Sequence, residues 1–289
     1  MEAFDYVAPR TLDEVYTHLN NGKRTLFMAG GTDVIVQLRE GRRQCDLLID
    51  LKRIDQLTSY AFDSDGTLVI GAATPLARIY EDVEVRRRLP GLVDAASLIG
   101  GIQIQSRASL GGNLCNASPA ADSTPALIAL GATLVISSAQ GQREIPVQEF
   151  FLGPGRNALQ PGELLLQVRI PRQHARSGTR YLRFIPRNEM DIAVASAGVH
   201  VQLSEAGDRI DALRVALGAV GPTVKVVDTS SLVGRAPDAA TIEEAGRLAS
   251  EAATPIDDMR GGIVQRRKLA RVLTVRAMEG AIERAREGR

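Results

Sequence analysis

Two glycine pairs, each followed by short polar side chains, are the part of this sequence best suited to chemistry. The first lies in LFMAGGTDV, residues 26–34, where an apolar run ends at Gly30-Gly31 and is followed by Thr32 and Asp33. Glycines between a strand and a helix permit close backbone approach and positive φ angles. Several amide N–H groups can then point the same way and bind a phosphate without Lys or Arg. By spacing alone a plain strand-to-helix turn is the favoured interpretation, because isolated glycine pairs are common.

The second pair, Gly111-Gly112, lies in SLGGNLCNASPAADSTPAL, residues 109–127. The short polar side chains that follow it are Asn113, Asn116, Ser118 and Asp122. We interpret the segment as a long polar loop, because loops longer than about 12 residues are uncommon unless they are functional. Two such loops in one domain would suit the two ends of a diphosphate cofactor. The alternative is a surface loop with helix caps.

Neither glycine pair matches the common nucleotide-binding motifs. The pattern GxGxxG followed by an acidic residue about 20 positions later is absent, which disfavours a Rossmann dinucleotide site. The pattern GxxxxGK[ST] of a P-loop is also absent. The histidines His18, His174 and His200 are scattered and show no metal-binding spacing. Cys115 is expected to be a small buried side chain rather than a nucleophile, because no histidine stands near it in the sequence.

The composition is typical of a soluble globular protein. The 289 residues carry a formal net charge of +1 and no tryptophan, which argues against nucleic-acid binding. No stretch approaches the about 20 apolar residues that span a bilayer, and the acidic N-terminal segment does not resemble a signal peptide. Two cysteines can neither ligate a four-thiolate cluster nor build a disulfide framework. We therefore expect a reduced cytoplasmic protein without a membrane span.

The elements that must position these residues alternate between strand and helix and then become mainly antiparallel. Thr11 and Glu14 form a capping-box pattern for a helix that ends near Gly22, and Thr32 is expected to cap a second helix that ends at Gly41. Strands are predicted at 24–29 (buried), 46–50, 57–62, 67–71, 132–137, 163–171, 179–185, 194–203 and 209–218. Further helices are predicted from Thr74-Pro75 and at 91–100, 121–131, 241–252 and 262–287. This order predicts an α+β protein.

The glycine segments and those that follow them resemble the FAD-binding (medium) subunit of the molybdenum hydroxylases. This family includes xanthine dehydrogenases and aerobic carbon monoxide dehydrogenases. The resemblance is carried by LFMAGGTDVIVQLREG and SLGGNLCNASPAADSTPAL. It continues in order through FFLGPGRNALQPGELLLQVRIP, YLRFIPRNEMDIAVASAGVHV, RVALGAVGPTVKVV and PIDDMRGGIVQRRKLARVLTVRA. It therefore covers nearly the whole chain.

The resemblance implies an α+β fold with two domains. A two-part FAD-binding domain of the vanillyl-alcohol-oxidase (PCMH) type would be followed by a smaller C-terminal α+β domain. The segment RQHARSGTR after Pro171 is polar and patternless. It places the expected boundary between residues 1–175 and 176–289.

The resemblance also assigns residues to FAD, the implied cofactor. Gly30-Gly31 would wrap the pyrophosphate with backbone amides, continued by Thr32 and Asp33, while Gly111-Gly112 and Asn113 would close the second side. The full set of expected cofactor-binding residues is Leu26, Phe27, Met28, Ala29, Gly30, Gly31, Thr32, Asp33, Ile99, Ser109, Gly111, Gly112, Asn113, Asn116, Asp122, Leu165 and Arg183.

Further roles within this set follow from the same resemblance. Asp122 would hydrogen-bond sugar or ribityl hydroxyls, and Leu165 would face the flavin or the adenine. Arg183 occupies the basic position near the flavin, where a positive charge favours the anionic reduced form. The sequence departs from the family pattern at Ile99, where some relatives place an aromatic ring against the flavin. It also departs at Gln105-Ser106, where bacterial relatives often have Arg-Asn.

The resemblance implies the FAD-carrying electron-transfer subunit of a molybdenum hydroxylase. A separate large subunit would hold molybdopterin, and a separate small subunit would hold two two-iron two-sulfur clusters. Electrons would pass from those clusters through FAD to NAD⁺, oxygen or another acceptor. No catalytic residue of the hydroxylation and no metal ligand is expected in this chain. A dimer of heterotrimers is the expected assembly.

Two alternatives remain at this point. A self-sufficient FAD-dependent reductase resembling UDP-N-acetylenolpyruvylglucosamine reductase would need a proton donor aimed at a substrate beside the flavin. A binding or scaffold module that has lost its cofactor would take up no FAD.

The segment PIDDMRGG, residues 255–262, also admits two interpretations. It is either a loop and helix cap, with Arg266-Arg267-Lys268 as a solvated face, or an interface with a partner subunit. We favour the interface.

Overall fold

The first glycine pair lies at the end of a small parallel sheet. The computed structural model describes residues 2–19, 22–188 and 190–288. Within this range β1 (Asp5–Val7), β3 (Leu47–Asp50) and β2 (Thr25–Met28) form a parallel sheet in the order β1-β3-β2. α1 (Leu12–Leu19) precedes β2, and α2 (Val34–Arg39) follows it. Because the strands are parallel, the segments that follow β2 and β3 leave the sheet at the same edge.

A five-stranded antiparallel sheet forms the rest of the N-terminal half. Its order is β4 (Tyr60–Phe62), β5 (Leu68–Gly71), β10 (Leu164–Ile170), β6 (Thr133–Ser138) and β7 (Gly141–Pro146). β8 (Phe151–Gly153) and β9 (Arg156–Asn157) form a separate short ribbon. β10 lies in the middle of the sheet, and this explains its nearly continuous apolar run LLLQVRI.

Short helices cover this sheet and close the main core. They are α3 (Asp55–Thr58), α4 (Leu76–Tyr80), α5 (Val83–Arg88), α6 (Pro90–Ala96), α7 (Ile102–Gln105), α8 (Leu110–Asn116) and α9 (Ser123–Ala129). Leu76, Leu110 and Leu114 from these helices pack with Leu68 and Ile70 of β5, all fully buried. Each such side chain contributes about 2 kcal/mol to the stability of the folded chain.

The C-terminal half is a second sheet with its own core. β11 (Ser177–Phe184), β12 (Ala195–Leu203), β13 (Ile210–Gly218) and β14 (Lys225–Val227) pair antiparallel in that order. α10 (Ala239–Ala252) and α11 (Ile263–Glu287) complete its core. Ala270, Ala277 and Ala281 form a buried stripe on α11, which lets the helix approach β11 closely. α11 has 25 residues. No helix in the described part of the chain is both long enough and apolar enough to cross a bilayer.

The two halves are joined by close helix-to-sheet contacts. α6 and α9 pack against β11 and β12. A Cβ at Gly91 would lie 2.5 Å from the Thr179 side chain, so glycine is needed for this approach. Asp94 of α6 accepts hydrogen bonds from Arg284 Nη1 of α11 at 2.7 Å and from Tyr181 N at 3.2 Å. These contacts fix the edge of the C-terminal sheet against the N-terminal half.

Most predicted elements are present, with differences at their ends. Residues 57 and 58 belong to α3 rather than to a strand. The predicted capping box is present in part, because Glu14 N donates to Thr11 Oγ1 at 3.2 Å while Glu14 Oε2 accepts from Arg10 N at 2.7 Å. α1 ends at Leu19, and residues 20 and 21 before the expected end lie outside the described residues.

Two further element predictions were wrong. Thr32 does not cap α2: the cap position is Asp33, and its side chain makes no capping hydrogen bond. β2 is half-buried rather than buried, because it is the edge strand of its sheet.

Arg266 does not belong to the solvated basic face of the alternative interpretation, although Arg267 and Lys268 are exposed. It is 5% exposed, and its guanidinium donates to Val194 O at 3.0 Å and to Ala219 O at 2.8 Å. It also pairs with Asp258 at 2.6 Å. Backbone carbonyls from two distant segments converge with this carboxylate, which is why a cation is buried here. Arg266 therefore ties the 255–262 segment to the C-terminal sheet.

Candidate functional site

The first glycine pair and Gly112 of the second pair line one cleft of about 420 Å³. Its walls are the segment after β2, the segment from α7 to α9, and Arg183, Asp191 and Ile192 from the C-terminal half. The predicted cofactor residues that line it are Phe27, Ala29, Gly30, Gly31, Thr32, Asp33, Ile99, Ser109, Gly112, Asn113, Asn116, Asp122 and Arg183. A second cavity of about 510 Å³, beside residues 62–66 and 171–175, includes none of the predicted residues.

The first glycine loop leaves its backbone amides without partners. No amide N–H from Gly30 to Asp33 donates a hydrogen bond to another residue in the described part of the chain. Gly31 has φ +80°, and a Cβ at Gly30 would lie 2.0 Å from the carbonyl oxygen of Arg107. Glycine is therefore required at both positions. Consecutive unbonded amides of this kind form an anion-binding arrangement.

The second glycine pair is helical, and this corrects the prediction of a long polar loop. Gly111 and Gly112 lie in the first turn of α8, where Ser109 Oγ accepts from Gly112 N at 3.1 Å. Gly111 N donates to Ala72 O at 3.1 Å, and Asn113 N donates to Ser109 O at 3.0 Å. All three amides are thus used within the chain. A Cβ at Gly111 would lie 2.4 Å from Ala72 O, so this glycine is needed for packing rather than for a ligand.

The second wall offers side-chain donors instead. Asn113 Oδ1 accepts from Ser123 Oγ at 2.6 Å, and Asn116 Oδ1 accepts from Gln37 Nε2 at 3.1 Å. Because these carbonyl oxygens are used, the two amide NH₂ groups remain as donors. This wall can therefore hydrogen-bond to hydroxyl or carbonyl oxygens of a ligand through its side chains.

A buried ion pair lines the cleft at the junction of the two halves. Arg183 Nη1 donates to Asp122 Oδ2 at 2.5 Å, and Tyr181 Oη donates to Asp122 Oδ1 at 2.5 Å. The side chains of Arg183 and Asp122 are 7% and 9% exposed. Burial raises the pKa of Asp122 against the opposing effect of Arg183 and Tyr181, and burial also raises the pKa of Tyr181. The positive charge expected at Arg183 is therefore paired with a carboxylate.

Four predicted cofactor residues do not line the cleft: Leu26, Met28, Gly111 and Leu165. Leu26 and Met28 alternate with Phe27 along β2 and pack with α2 in a small separate core. Leu165 is 4% exposed within the main core. The alternation of side chains along a strand is a signal that could have separated Phe27 from its two neighbours.

Cleft residues outside the predicted cofactor-binding set are Val34, Gln37, Arg43, Gly100, Ile104, Ala108, Cys115, Ser118, Ala120, Ala121, Asp191 and Ile192. Gln37 lies one helical turn after Asp33, so helical spacing could have indicated it. Cys115 is half-buried at the cleft rather than buried as predicted. Desolvation raises the pKa of its thiol to about 12, which favours the neutral thiol over the nucleophilic thiolate at pH 7.

Comparison with known proteins identifies both halves of the chain. The family model "FAD binding domain in molybdopterin dehydrogenase" matches residues 2–173, and the model "CO dehydrogenase flavoprotein C-terminal domain" matches residues 180–281. The xanthine dehydrogenase FAD-binding subunit of Escherichia coli is 33% identical over 219 residues, which cover 75% of this chain and 74% of that protein. The glyceraldehyde dehydrogenase medium chain of Sulfolobus acidocaldarius is 29% identical over 278 residues, with 96% and 97% coverage.

Solved structures agree with this assignment. A chain of the carbon monoxide dehydrogenase of Hydrogenophaga pseudoflava superposes with a TM-score of 0.93 at 29% identity, covering 98% of both chains. A chain of the quinoline 2-oxidoreductase of Pseudomonas putida superposes with a TM-score of 0.91 at 29% identity and the same coverage. These matches confirm the predicted α+β fold, the oxidoreductase class and FAD as the cofactor. The chain therefore belongs to the family of FAD-binding medium subunits of the molybdenum hydroxylases.

Proposed function

We propose that this subunit holds FAD in the cleft between the two glycine pairs and passes electrons from the iron–sulfur clusters of a partner subunit to an external acceptor. The observation that carries the proposal is the row of unbonded amides from Gly30 to Asp33 at a cleft that the cofactor could enter. When bound, FAD supplies the redox chemistry that accepts and releases these electrons. NAD⁺, oxygen or another oxidant would take them up.

The residues present fit this cofactor. The four amides of the first loop would bind the diphosphate, and the absent Cβ at Gly30 lets the loop pack on Arg107. Asn113 and Asn116 offer NH₂ donors for sugar or ring oxygens. Ile99, Ile104 and Ile192 provide apolar surface in the cleft for a flat ring system.

The ion pair of Asp122 and Arg183 would orient the cofactor rather than transfer protons. Both Asp122 oxygens accept hydrogen bonds, and the two opposite charges compensate each other. The electrostatic effect of Arg183 on the flavin is therefore smaller than that of an unpaired guanidinium. No proton donor for a substrate is required by the proposed electron transfer.

We propose that the segment 255–268 contributes to the surface that meets a partner subunit. Ile256, Met259 and Val264 are 71%, 96% and 69% exposed, and such clustered apolar exposure is typical of interfaces. The relatives named above as medium chains imply other chains in their complexes. By analogy we propose a molybdopterin-containing large subunit, a small subunit with two two-iron two-sulfur clusters, and a cytoplasmic dimer of heterotrimers.

We also propose that the domains are residues 1–175 and 176–289. The two separate hydrophobic cores support this division, because the second core is built entirely from residues 195–285. Among the described residues, the buried members of the main core lie between 15 and 170 apart from Ala216, and Val224 packs against them.

The test is an absorbance spectrum of the purified full-length chain from ~300 to 700 nm, with the released cofactor identified after denaturation. We expect bound FAD without iron–sulfur absorbance, and no oxidation of hydroxylase substrates by the isolated chain. Reconstitution with the large and small subunits should restore substrate-driven reduction of the flavin. A chain that stays colourless after FAD addition would favour a scaffold role. NADPH-driven reduction of an enolpyruvyl substrate would favour the self-sufficient reductase.

A further inference from the structure

Lys52 connects the end of β3 to the first glycine loop. Its Nζ donates to the carbonyl oxygen of Ala29 at 3.0 Å and pairs with Asp50 Oδ1 at 2.7 Å. Its backbone N donates to the same carboxylate oxygen at 3.0 Å. Tyr6 Oη, from β1, donates to Asp50 Oδ2 at 2.7 Å. Tyr6 of β1 and Asp50 at the end of β3 thus contribute, through Lys52, to holding the Ala29 carbonyl.

The contacts of Lys52 fix the position of the Ala29 carbonyl and add little net charge near the cleft. Asp50 is 6% exposed and the Lys52 side chain is 28% exposed. Burial raises the pKa of Asp50, but the hydrogen bonds from Lys52 and Tyr6 outweigh it, so the pKa lies below its ordinary value. The carboxylate is therefore charged at neutral pH and compensates the ammonium. Lys52 adds little net field at the cleft and mainly fixes where a carbonyl lies.

The position of the Ala29 carbonyl determines where the next amide points. The described chain has no cis peptide bond, so the N–H of Gly30 is antiparallel to the carbonyl of Ala29. Ala29 itself lines the cleft, and Gly30 begins the row of unbonded amides. A loop with glycines at positions 30 and 31 has few conformational limits of its own. Something outside the loop must therefore hold it in one conformation.

We infer that Lys52 is a positioning residue for the FAD diphosphate, acting by holding the Ala29 carbonyl so that the amides of Gly30 to Asp33 are aligned before the cofactor arrives. This inference rests on the proposed function. A flexible glycine loop would have to become ordered when FAD binds, and this ordering would weaken the affinity. Alignment before binding avoids that loss.

The same two strands carry a matched control at their opposite ends. Arg24 pairs with Asp46 at 2.7 Å just before β2 and β3, with side chains 60% and 42% exposed. Neither residue lines the cleft. Arg24→Met therefore removes an ion pair from the same sheet without touching the loop, whereas Lys52→Met removes the pair that holds it. Lys52→Arg keeps a positive donor at the loop.

The experiment titrates the full-length apo chain with FAD and, separately, with ADP as a probe that carries the diphosphate without the flavin. We expect Lys52→Met to weaken both affinities by about tenfold or more, because a hydrogen bond to a charged donor is lost. Lys52→Arg should recover most of this loss, and Arg24→Met should bind both ligands as the unmodified chain does. Because Lys52→Met leaves the Asp50 carboxylate unpaired, part of its loss of affinity should be screened at high ionic strength, and the part that persists there is the positioning effect.

Thermal unfolding of the apo variants separates positioning from general stability. Affinity lost in Lys52→Met and kept in Arg24→Met, with both apo variants fully folded at the temperature of the titration, would support the inference. Undiminished affinity of Lys52→Met would overturn it while leaving the proposed function intact. A loss in Lys52→Met that disappears at high salt would also overturn it, because the role would then be one of charge. If the unmodified chain binds neither FAD nor ADP, the proposed function fails and the inference fails with it.

Discussion

Gly30-Gly31 and Gly111-Gly112 are the same dipeptide at one cleft, yet their backbones do different things. The amides of residues 30 to 33 have no partner in the described chain, whereas Gly111 N and Gly112 N are bonded to Ala72 and Ser109. The first pair makes a turn that is open to a ligand. The second pair begins a short helix and lets it pack against the end of β5.

This difference shows what a glycine pair can and cannot indicate. In both pairs one glycine is required because a Cβ would meet backbone, at 2.0 Å for Gly30 and 2.4 Å for Gly111. Close approach alone therefore does not distinguish a ligand site from a packing site. What distinguishes them is whether the neighbouring amides are already used. The following substitutions test that distinction.

Gly30→Ala should have the largest effect, and it should fall on cofactor binding. Relief of the 2.0 Å contact with Arg107 O requires the loop to move, which misplaces its amides. We expect FAD affinity to fall by about 10- to 100-fold, since overpacking costs ~1–3 kcal/mol and each 1.4 kcal/mol is tenfold. FAD titration of the apo chain measures this.

Gly41→Ala is the matched control for that variant. Gly41 follows the other end of α2, has φ +70° and would place its Cβ in open space. It should lose about 1 kcal/mol of stability from the strained φ while binding FAD normally. Equal losses of affinity in Gly30→Ala and Gly41→Ala would contradict a specific role for the first pair.

Gly111→Ala should act on stability rather than on binding. The new Cβ would lie 2.4 Å from Ala72 O and 2.5 Å from Ala72 Cβ, so α8 must shift away from the sheet. We expect the free energy of unfolding to fall by about 1–3 kcal/mol. Urea unfolding of the apo chain measures this, and FAD affinity under folding conditions should fall less than in Gly30→Ala. A larger loss of FAD affinity in Gly111→Ala than in Gly30→Ala would contradict the difference between the two glycine pairs.

Buried His200 makes the stability of the chain depend on pH under acidic conditions. The variants should therefore be compared at the same pH. His200 lies in β12, is 3% exposed, and shares a hydrogen bond with Thr179 Oγ1 at 2.9 Å. Burial, with help from the charge of Arg214, lowers the pKa of His200 from 6.5 to about 3. Between pH 6.5 and 3 the unfolded chain therefore binds more protons at this residue than the folded chain does. Stability must fall as the pH drops through that window.

His200→Asn removes this titration and should flatten the pH dependence. The difference in slope should approach 1.4 kcal/mol per pH unit, the value for about one proton. Unfolding free energies from urea titrations at several pH values between 4 and 7 measure it. Parallel pH profiles for the two proteins would show that His200 is not the residue responsible.

Gly112→Ala should have the smallest effect on stability and a separate effect on binding. Its Cβ would meet Ser109 Oγ at 3.2 Å and Ala29 Cβ at 4.0 Å, and alanine in a helix is favoured over glycine by about 0.5–1 kcal/mol. We expect the unfolding free energy to change by less than about 1 kcal/mol. Because Gly112 lines the cleft, the added methyl group should weaken FAD binding. Destabilisation as large as that of Gly111→Ala would show that Gly111 and Gly112 are equally important for the packing of α8.

The elements and the first loop could be predicted from the sequence because their signals are local. The run LFMAGG, the caps and the apolar periods specify β2, α10 and α11 to within a few residues. The second pair was misassigned because glycines are poor helix formers, whereas here packing of α8 on Ala72 outweighs that preference. That contact joins residues nearly 40 positions apart and has no local signature.

The burial of Arg266 and the pairing of Arg183 have the same non-local origin. Arg266 is surrounded by carbonyl oxygens from Val194 and Ala219, which no pattern within α11 indicates. Arg183 meets Asp122 only because the C-terminal sheet packs on α9. The sequence indicated both residues at a functional position or face, but the partner of each depends on the tertiary fold.

The unbonded amides of residues 30 to 33 should also be distinguishable by hydrogen–deuterium exchange. In water, an amide exchanges its hydrogen quickly unless a hydrogen bond protects it, however well ordered its backbone is. These four positions should therefore take up deuterium quickly in the apo chain, although β2 before them and α2 after them are regular structure. Any bound anion that accepts their hydrogens would slow that uptake. The rate of deuterium uptake at these four amides would therefore show whether an anion is bound to the loop.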